Sequence, residues 1–550
     1  MTSAPRLNIV GARALPGRLV AAVVVAVVTV ASSVVGQVTG HAQAVPAGGS
    51  WELTDALSVP RYDHTLTLLA DGRVLAAAGR TLNVTPGVVF RTAEVYDPIA
   101  EEWNPTGSLN QARFMHTATL LPDGRVLVAG GFGEPYPNPN PSVLDTAEIY
   151  DPATGTWTPT GTMNVRRGIH QAALLADGRV LVAGGRTCNG PPPATCTNVF
   201  RTATAEIYDP ATGTWTLTGS MSGERYNAEA AVLLDGRVLV PAGFTSTTPN
   251  GSNTADLYDP ATGTWSRTGN LNQGRSRAGA IRLNDGRVMV MLGFRGPAIP
   301  NPTTEIYDPA TNRWTFADNI DFPFSRFNFS YGLLPNGKVV LAGGQFFAGQ
   351  ANQGIVRDSH IYDPVTNDWT NTAPLNEPHG TPGGLSDSEK MVILSASPTS
   401  YVADPRVCGR HCGKAMVAGN SITGSTELFT AAGTCYGFDA TITAPAAGGA
   451  VAGTEGRDVI LGSPADDRIA ALGGDDVICG GGGNDQISGG RGGDVTLAGD
   501  GLDRVAAGEG DDFLFGEVAD DQLSGGRGLD TADGWVGTDA CLAEVVRRCP

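Results

Sequence analysis

Residues 480–497 read Gly480-Gly-Gly-Gly483-Asn484-Asp485-Gln486-Ile487-Ser488-Gly489-Gly-Arg-Gly492-Gly-Asp494-Val-Thr-Leu497. Two glycine-rich turns each run into an aspartate. Carried outward, the same nine-residue spacing takes in Asp458, Asp467, Asp476, Asp485, Asp494, Asp503, Asp512, Asp521, Asp530 and Asp539 without a slip. Two residues after most of them sits an apolar side chain (Ile460, Ile469, Ile478, Ile487, Val505, Leu514, Leu523), and two before most sits a glycine. So short and strict a period predicts a stack of repeats and excludes an ordinary globular core. It also sets one carboxylate in every turn, an arrangement suited to holding cations.

The composition agrees. A chain of 550 residues is too long for one core. With 74 Gly and 36 Pro alongside 41% hydrophobic residues, it favours turn-rich β structure. The formal charge is −18, and residues 451–550 carry 20 acidic against 7 basic side chains, a net −13. An acidic block of this kind repels nucleic acid and anionic membrane and attracts metal ions. Nucleic-acid binding is set aside on this ground.

Residues 1–44 read as an export signal. Arg6, Arg13 and Arg18 precede an apolar run from Leu19 to Val35, and Ala42-Gln43-Ala44 offers a small-x-small cleavage site. An uncleaved anchor is the alternative, and no later segment could span a bilayer. The eight cysteines, Cys188, Cys196, Cys408, Cys412, Cys435, Cys479, Cys541 and Cys549, suit an oxidising compartment. Cys188/Cys196, Cys408/Cys412 and Cys541/Cys549 are near enough in sequence to staple local loops, and Cys435/Cys479 would tie a linker to the nonapeptide stack. Zinc is disfavoured because paired CxxC knuckles are absent.

A longer period fills residues 45–405. One copy runs Arg113-Phe-Met-His116, Asp123-Gly-Arg-Val-Leu-Val-Ala-Gly130-Gly131, Glu148-Ile-Tyr150-Asp-Pro152 and Trp157. The turn recurs at Asp71, Asp123, Asp177, Asp235, Asp285 and Asn336, each followed by glycine, and Tyr-Asp-Pro recurs from Tyr96 to Tyr362. Asp-Gly between apolar runs is a hairpin signal because glycine accepts positive φ. Four short strands per unit of about fifty residues cannot bury both faces alone, so the units must pack on one another, and a propeller is the usual outcome. Seven tryptophans (Trp51, Trp103, Trp157, Trp215, Trp265, Trp314, Trp369) stand against six clear turns. Trp51 therefore belongs to a fourth strand whose first three lie at the other end. Residues 385–394 supply a degraded turn and second strand, and 401–405 the third. Seven blades closed by both ends is the expectation, with six as the alternative.

These motifs resemble the kelch family in the form found in galactose-oxidase-like propellers, which implies a β-propeller and leaves function open. Residues 453–541 resemble the RTX, or haemolysin-type, nonapeptide repeat. That resemblance implies a parallel β-roll in which two nonapeptides form one coil, so aspartates eighteen apart share a column and those nine apart face each other. It also implies Ca2+ as the cofactor at the ten aspartates. Aspartates that merely cap backbone N–H groups are the alternative. Ser463-Pro464-Ala465 and Glu517-Val518-Ala519 depart from the turn pattern, and Thr496 and Ala532 from the apolar position.

The expected organisation is an all-β chain: signal peptide 1–44, propeller 45–405, cysteine-bearing linker 406–452, β-roll 453–541 and tail 542–550. The expected function is a secreted, or cell-surface-associated, calcium-binding protein whose propeller binds an extracellular protein or glycan. A propeller oxidase or glycan-active hydrolase is the alternative. His64, His116 and His170 occupy one repeated slot and read as packing residues, no Tyr-His pair for a copper centre is present, and no catalytic residue is assigned. The insertions at 132–145, 186–200 and 345–358 all fall between second and third strands and should crowd one rim; loop drift is the alternative.

Overall fold

Each Asp-Gly or Asn-Gly pair turns the chain between two short strands, with φ between 81° and 89° at Gly72, Gly124, Gly178, Gly236, Gly286 and Gly337. In the computed structural model, blade 1 comprises Thr65–Leu68, Val74–Ala77, Ala93–Asp97 and Glu102–Thr106, paired antiparallel in chain order. Blades 2 to 6 repeat this order, beginning at Thr117–Leu120, Gln171–Leu174, Ala231–Val232, Gly279–Arg282 and Ser330–Leu333. The structure describes residues 48–549 except 82–86, 135–141, 190–195, 197–198, 249, 296–301, 321–324, 348–352, 381–388, 396–404 and 420–422. These belong to one compact unit spanning 44–550. The expected export signal and Tyr401–Asp404 lie outside the described residues, and no described helix is long and apolar enough to cross a membrane.

The repeated residues now have physical roles. Second strands such as Val126–Ala129 are wholly buried. Tyrosine and tryptophan of the outer strands pack together within each blade, their ring centroids 4.9 Å apart for Tyr150–Trp157 and 5.2 Å for Tyr362–Trp369. The second glycine of each Gly-Gly pair joins neighbouring blades: Gly131 N–H donates to Arg167 O at 2.9 Å and Gly185 N–H to Arg225 O at 2.8 Å. At Gly131 φ is 94°, and a Cβ there would lie 2.7 Å from Phe114 O, so only glycine permits the approach.

The ring closes at seven. Gly49–Thr54 pairs with Thr426–Ala431, which pairs with Ala415–Ala418 and then Val392–Ile393. Trp51 packs on Phe429 at 5.0 Å, and Trp103 of blade 1 donates to Thr426 Oγ1 of blade 7 at 2.9 Å. The innermost strands touch in sequence around the ring, Val392–Ile393 finally meeting Thr65–Leu68.

The expected composition of this blade needs correction. Its first strand is Val392–Ile393, and its second and third are Ala415–Ala418 and Thr426–Ala431, residues expected in the linker. Where the other blades have an Asp-Gly turn, an insertion closed by Cys408–Cys412 separates strands one and two, which hid the period. Pro405 begins a short helix, Pro405–Cys408, and not the end of a strand.

The roll also extends past its expected bounds. Its seven-stranded sheet runs from Ile442–Thr443 to Val545–Arg547, and its six-stranded sheet from Gly449–Ala452 to Ala540–Leu542. All pairs are parallel with an offset of eighteen at Val459↔Val477 and Arg468↔Gln486, so two nonapeptides make one coil. The linker thus shrinks to residues 432–441, and the tail supplies a terminal strand. Ile460, Ile469, Ile478, Ile487, Thr496 and Ala532 all face the dry interior. The chain forms Cys188–Cys196, Cys408–Cys412, Cys435–Cys479 and Cys541–Cys549 disulfides, leaving no free cysteine.

The roll is two-faced. On the seven-stranded sheet outward residues flanking the core positions from Ile460 to Leu514 are apolar (Val459, Val477, Val495, Leu497, Phe513, Phe515) and join one core with Tyr96, Trp103, Met416 and Leu428 of blades 1 and 7. On the six-stranded sheet the same positions are Arg468, Gln486, Ser488, Arg504, Gln522 and Ser524, which face water or its margin.

Candidate metal centre and propeller mouth

Every aspartate of the ladder opens a strand, where parallel pairing brings its carboxylate beside the backbone of the coil before it. Asp476 N–H donates to Asp494 Oδ1 at 2.9 Å, Asp485 N–H to Asp503 Oδ1 at 2.7 Å, and Asp494 N–H to Asp512 Oδ1 at 2.8 Å. Two columns result, one through Asp458, Asp476, Asp494, Asp512 and Asp530 and the other through Asp467, Asp485, Asp503, Asp521 and Asp539. At the end of the first, Glu544 Oε2 takes the place of a further aspartate, accepting from Asp530 N–H at 3.0 Å.

The second carboxylate oxygen separates the ten. Asp458 Oδ2 accepts from Thr454 N–H at 2.6 Å, and Asp467 Oδ2 from Ser463 N–H at 2.7 Å. In Asp476, Asp485, Asp494, Asp503, Asp512, Asp521, Asp530 and Asp539, Oδ2 is buried without a hydrogen-bond partner. Such an atom is costly unless something satisfies it. Beside Asp485, Asp494, Asp521, Asp530 and Asp539 a turn glycine leaves a cradle: a Cβ on Gly480 would lie 2.7 Å from Asp485 Oδ2, and one on Gly489 2.4 Å from Asp494 Oδ2; Ala471, Ala498 and Ala507 stand at that place before Asp476, Asp503 and Asp512. Burial, with nearby acidic side chains, pushes the Asp485, Asp494 and Asp521 carboxyls up to about 7 and those of Asp503 and Asp512 up to about 6; the acids are chiefly column neighbours except at Asp503, where they are Asp500, Glu517 and Asp466. Among the described residues no three His, Cys, Asp or Glu side chains converge on one point. Each cradle therefore offers one carboxylate among stacked turn carbonyls, a hard oxygen set that fits Ca2+. Asp467 does not fit it, because both its oxygens are engaged, nor does Asp458, whose Oδ2 accepts from both the N–H and the hydroxyl of Thr454.

Two features escaped the nine-residue reading. A second acidic column one residue earlier caps the turns: Asp466 Oδ1 accepts from Asn484 N–H at 2.8 Å, Asp475 Oδ1 from Gly493 N–H at 3.0 Å, and Asp520 Oδ1 from Thr538 N–H at 2.8 Å. The apolar docking face is visible in sequence only at a period of eighteen.

In the propeller the repeated charges are structural. Arg113 and Glu148 pair at 2.9 Å, Arg167 and Glu206 at 2.7 Å, and Arg275 and Glu305 at 2.6 Å, all fully buried. In blade 7, Glu427 faces His379 at 3.3 Å instead. His116 Nε2 and Thr65 Oγ1 share a hydrogen bond of 3.1 Å, as do His170 Nε2 and Thr117 Oγ1 at 3.0 Å, so these histidines link adjacent blades. Burial holds His64 down to about 3 and keeps His116 and His170 neutral. These residues do not fit a copper centre, because His116 and His170 are each engaged with a threonine of the preceding blade.

At the end where second strands run into third strands, one slot varies from blade to blade. The facing pairs are Tyr62/Arg80, Phe114/Phe132, Gly168/Arg186, Tyr226/Phe244, Ser276/Phe294 and Phe327/Gln345. Beside them Asp63, Met115, Ile169, Asn227, Arg277 and Asn328 all take left-handed φ between 51° and 56°. Arginines stack over the aromatics: Arg80 over Phe114 at 4.8 Å, Arg201 over Tyr226 at 5.4 Å and Arg277 over Phe327 at 5.2 Å. The described ends of the three long insertions emerge on this side.

Comparison with known proteins agrees with the geometry. Residues 452–487, 461–496 and 497–539 match the RTX calcium-binding nonapeptide repeat, in 4 copies, and residues 113–164 match the Kelch motif. An F-box/kelch-repeat protein of Arabidopsis thaliana is 29% identical over 179 residues, 30% of this chain and 36% of that protein. A Kelch-like protein of Aspergillus terreus is 28% identical over 156 residues, 27% of this chain and 32% of its own length. Galactose oxidase of Gibberella zeae is 36% identical over 78 residues, 14% of this chain and 12% of the oxidase. The chain thus spans about a third of the first two relatives and far less of the third. A solved fungal alcohol oxidase in complex with copper superposes with a TM-score of 0.51 at 14% identity, covering 74% of this chain and 82% of that one, which shows the fold alone. The chain joins a kelch-type β-propeller to calcium-binding RTX-type repeats.

Proposed function

We propose that this is a secreted calcium-binding protein whose propeller mouth recognises an extracellular protein or glycan without chemistry. The observation that carries the calcium half is the set of eight buried Asp Oδ2 atoms without partners, five of them (Asp485, Asp494, Asp521, Asp530 and Asp539) beside a glycine cradle. Bound Ca2+ supplies the positive charge and coordination that those oxygens lack. The chain does the rest: Oδ1 atoms fix the columns through backbone N–H groups, and the turn glycines keep the cradles open. Four disulfides and the expected export signal support an extracellular setting.

The binding half rests on the mouth. A buried frame, with Arg–Glu pairs in blades 1, 2, 3 and 5 and Tyr–Trp contacts in blades 1 to 6, carries a ring of positions whose chemistry changes from blade to blade. Of its arginine and aromatic side chains, the half-buried Arg186, Tyr226, Arg277 and Phe294 suit protein or sugar surfaces, while Tyr62, Phe114, Phe132 and Phe327 are buried beneath them. The test is an array of oligosaccharides and extracellular-matrix proteins probed with the full chain in millimolar calcium. Selective binding that Arg277→Ala or Arg186→Ala abolishes would support the reading. Binding indifferent to both substitutions would remove the mouth from it. The enzyme alternative draws on the likeness to galactose oxidase, and peroxide release from primary alcohols by copper-treated protein would favour it.

A further inference from the structure

The contact between roll and ring holds more specific chemistry than a covalent tether needs. Arg410, on the loop closed by Cys408–Cys412, reaches three ways. Its Nε lies 2.9 Å from Glu101 Oε1 in blade 1, and its Nη1 lies 3.2 Å from Glu517 Oε1 in the roll. Its guanidinium sits 4.4 Å from the ring centre of Trp535, also in the roll. Arg548 stacks on the same indole at 4.0 Å and pairs with Asp533 at 2.5 Å. His411 Nε2 adds a 2.5 Å contact to Glu101, and Lys414 one of 2.5 Å to Glu52, the latter on the strand that closes blade 7.

Glu517 and Trp535 occupy a turn position that Gly481, Gly490, Gly499, Gly508 and Gly526 fill in other turns. Glu517 aligns with Gly499, which aligns with Gly481. Trp535 stands nine residues after Gly526 in the same slot. Both have left-handed backbones, φ 74° and 69°, a conformation unfavourable for residues with a Cβ. These two departures from the glycine pattern converge on one arginine, whereas Leu472, a third with φ 80°, lies in the other sheet. Glu517 and Trp535 lie four residues before Asp521 and Asp539, so the turns that carry them belong to the carboxylate ladder.

The surface they grip is the weak point of the ring. Blade 7 alone among the described blades draws strands from both ends of the chain. Phe429 replaces the buried tyrosine of the other blades, and His379 the buried arginine. The apolar outer sheet of the roll covers this seam.

We propose that the roll is a calcium-dependent clasp on the propeller, ordered turns holding Glu517 and Trp535 against Arg410 and so fixing the seam between blades 7 and 1. This rests on the calcium reading above. Without cations the stacked carboxylates repel, the turns loosen and the seam loses its cover. Linkage makes the coupling reciprocal: a clasp that calcium tightens must tighten calcium binding in turn.

The test uses the full chain. Seven of the eight tryptophans lie in the propeller, so intrinsic fluorescence follows its unfolding while far-UV circular dichroism follows the roll as well. Chelation should lower the propeller midpoint by roughly 5 °C or more. Arg410→Ala in millimolar calcium should fall most of the way to the chelated value, lose little more on chelation, and bind calcium several-fold more weakly. Glu517→Gln, which keeps the shape of the turn, should move the same way by less and serves if Arg410→Ala fails to fold. A roll that responds to calcium while the propeller midpoint stays fixed, or a Glu517→Gln chain identical to wild type, would overturn the clasp alone. A roll indifferent to calcium would overturn the calcium reading and the clasp together.

Discussion

Replacing Asp494 by asparagine should act with opposite sign in the presence and absence of calcium. The substitution keeps the shape of the side chain and leaves an oxygen to accept from Asp476 N–H, now 2.9 Å from Oδ1. What it removes is the charge at an Oδ2 that is buried and unpartnered. In calcium-free protein that charge faces Asp476 and Asp512, its neighbours in the column. Two unit charges about 5 Å apart at an effective dielectric constant of about 20 repel by roughly 3 kcal/mol. Partial protonation and solvent screening reduce the net gain from removing them to about 1–2 kcal/mol. For a unit the size of the roll, that raises the thermal midpoint by roughly 4–8 °C per kcal/mol. In calcium the same change deletes an anionic ligand, and affinity at that cradle should fall about tenfold or more, each factor of ten being about 1.4 kcal/mol. Paired melts of wild type and Asp494→Asn in chelator and in millimolar calcium read both signs. Equal destabilisation in both conditions would refute the reasoning, because the carboxylate would then serve only as a backbone cap.

Gly501→Ala should unfold the roll, since φ is 139° there and a Cβ would lie 1.7 Å from Gly483 O; loss of the roll's circular dichroism at all calcium levels is the readout. Arg113→Met leaves Glu148 buried without its guanidinium partner and should cost the propeller about 3–5 kcal/mol, measured by denaturant unfolding followed by fluorescence. Calcium-free protein should show opposed pH dependences in its two parts, followed by melts between pH 4 and 8. Asp485 and Asp494, raised from 3.8 to about 7, favour the folded roll in acid and withdraw that stability as pH rises towards 7. His64, lowered from 6.5 to about 3, stabilises the propeller above 6.5 and loses that contribution as pH falls.

Much of the fold is legible where a residue type meets a backbone demand. Asp-Gly marks the inner hairpins, Tyr and Trp mark the outer strands, and Trp51 announces a blade closed from both ends. The seventh blade resists reading because an insertion bearing Cys408 and Cys412 stands where a turn should be, so Ala415–Ala418 falls out of period. The first coil of the roll is hidden because Ala440 and Gly449 stand where aspartates would; Gly449 N–H still donates to Asp467 Oδ1 at 2.9 Å. The ladder shows in sequence as ten equal carboxylates. Their division into two self-capped and eight open ones depends on whether the amides of Thr454 and Ser463 reach Oδ2, a matter of turn geometry that spacing does not encode.

Direct calcium uptake tests the central claim. Equilibrium dialysis of the full chain against calcium, with far-UV circular dichroism of the same samples, should show several ions bound at millimolar concentration together with a gain of β signal. Absence of uptake, or uptake with no change in the spectrum, would contradict the account.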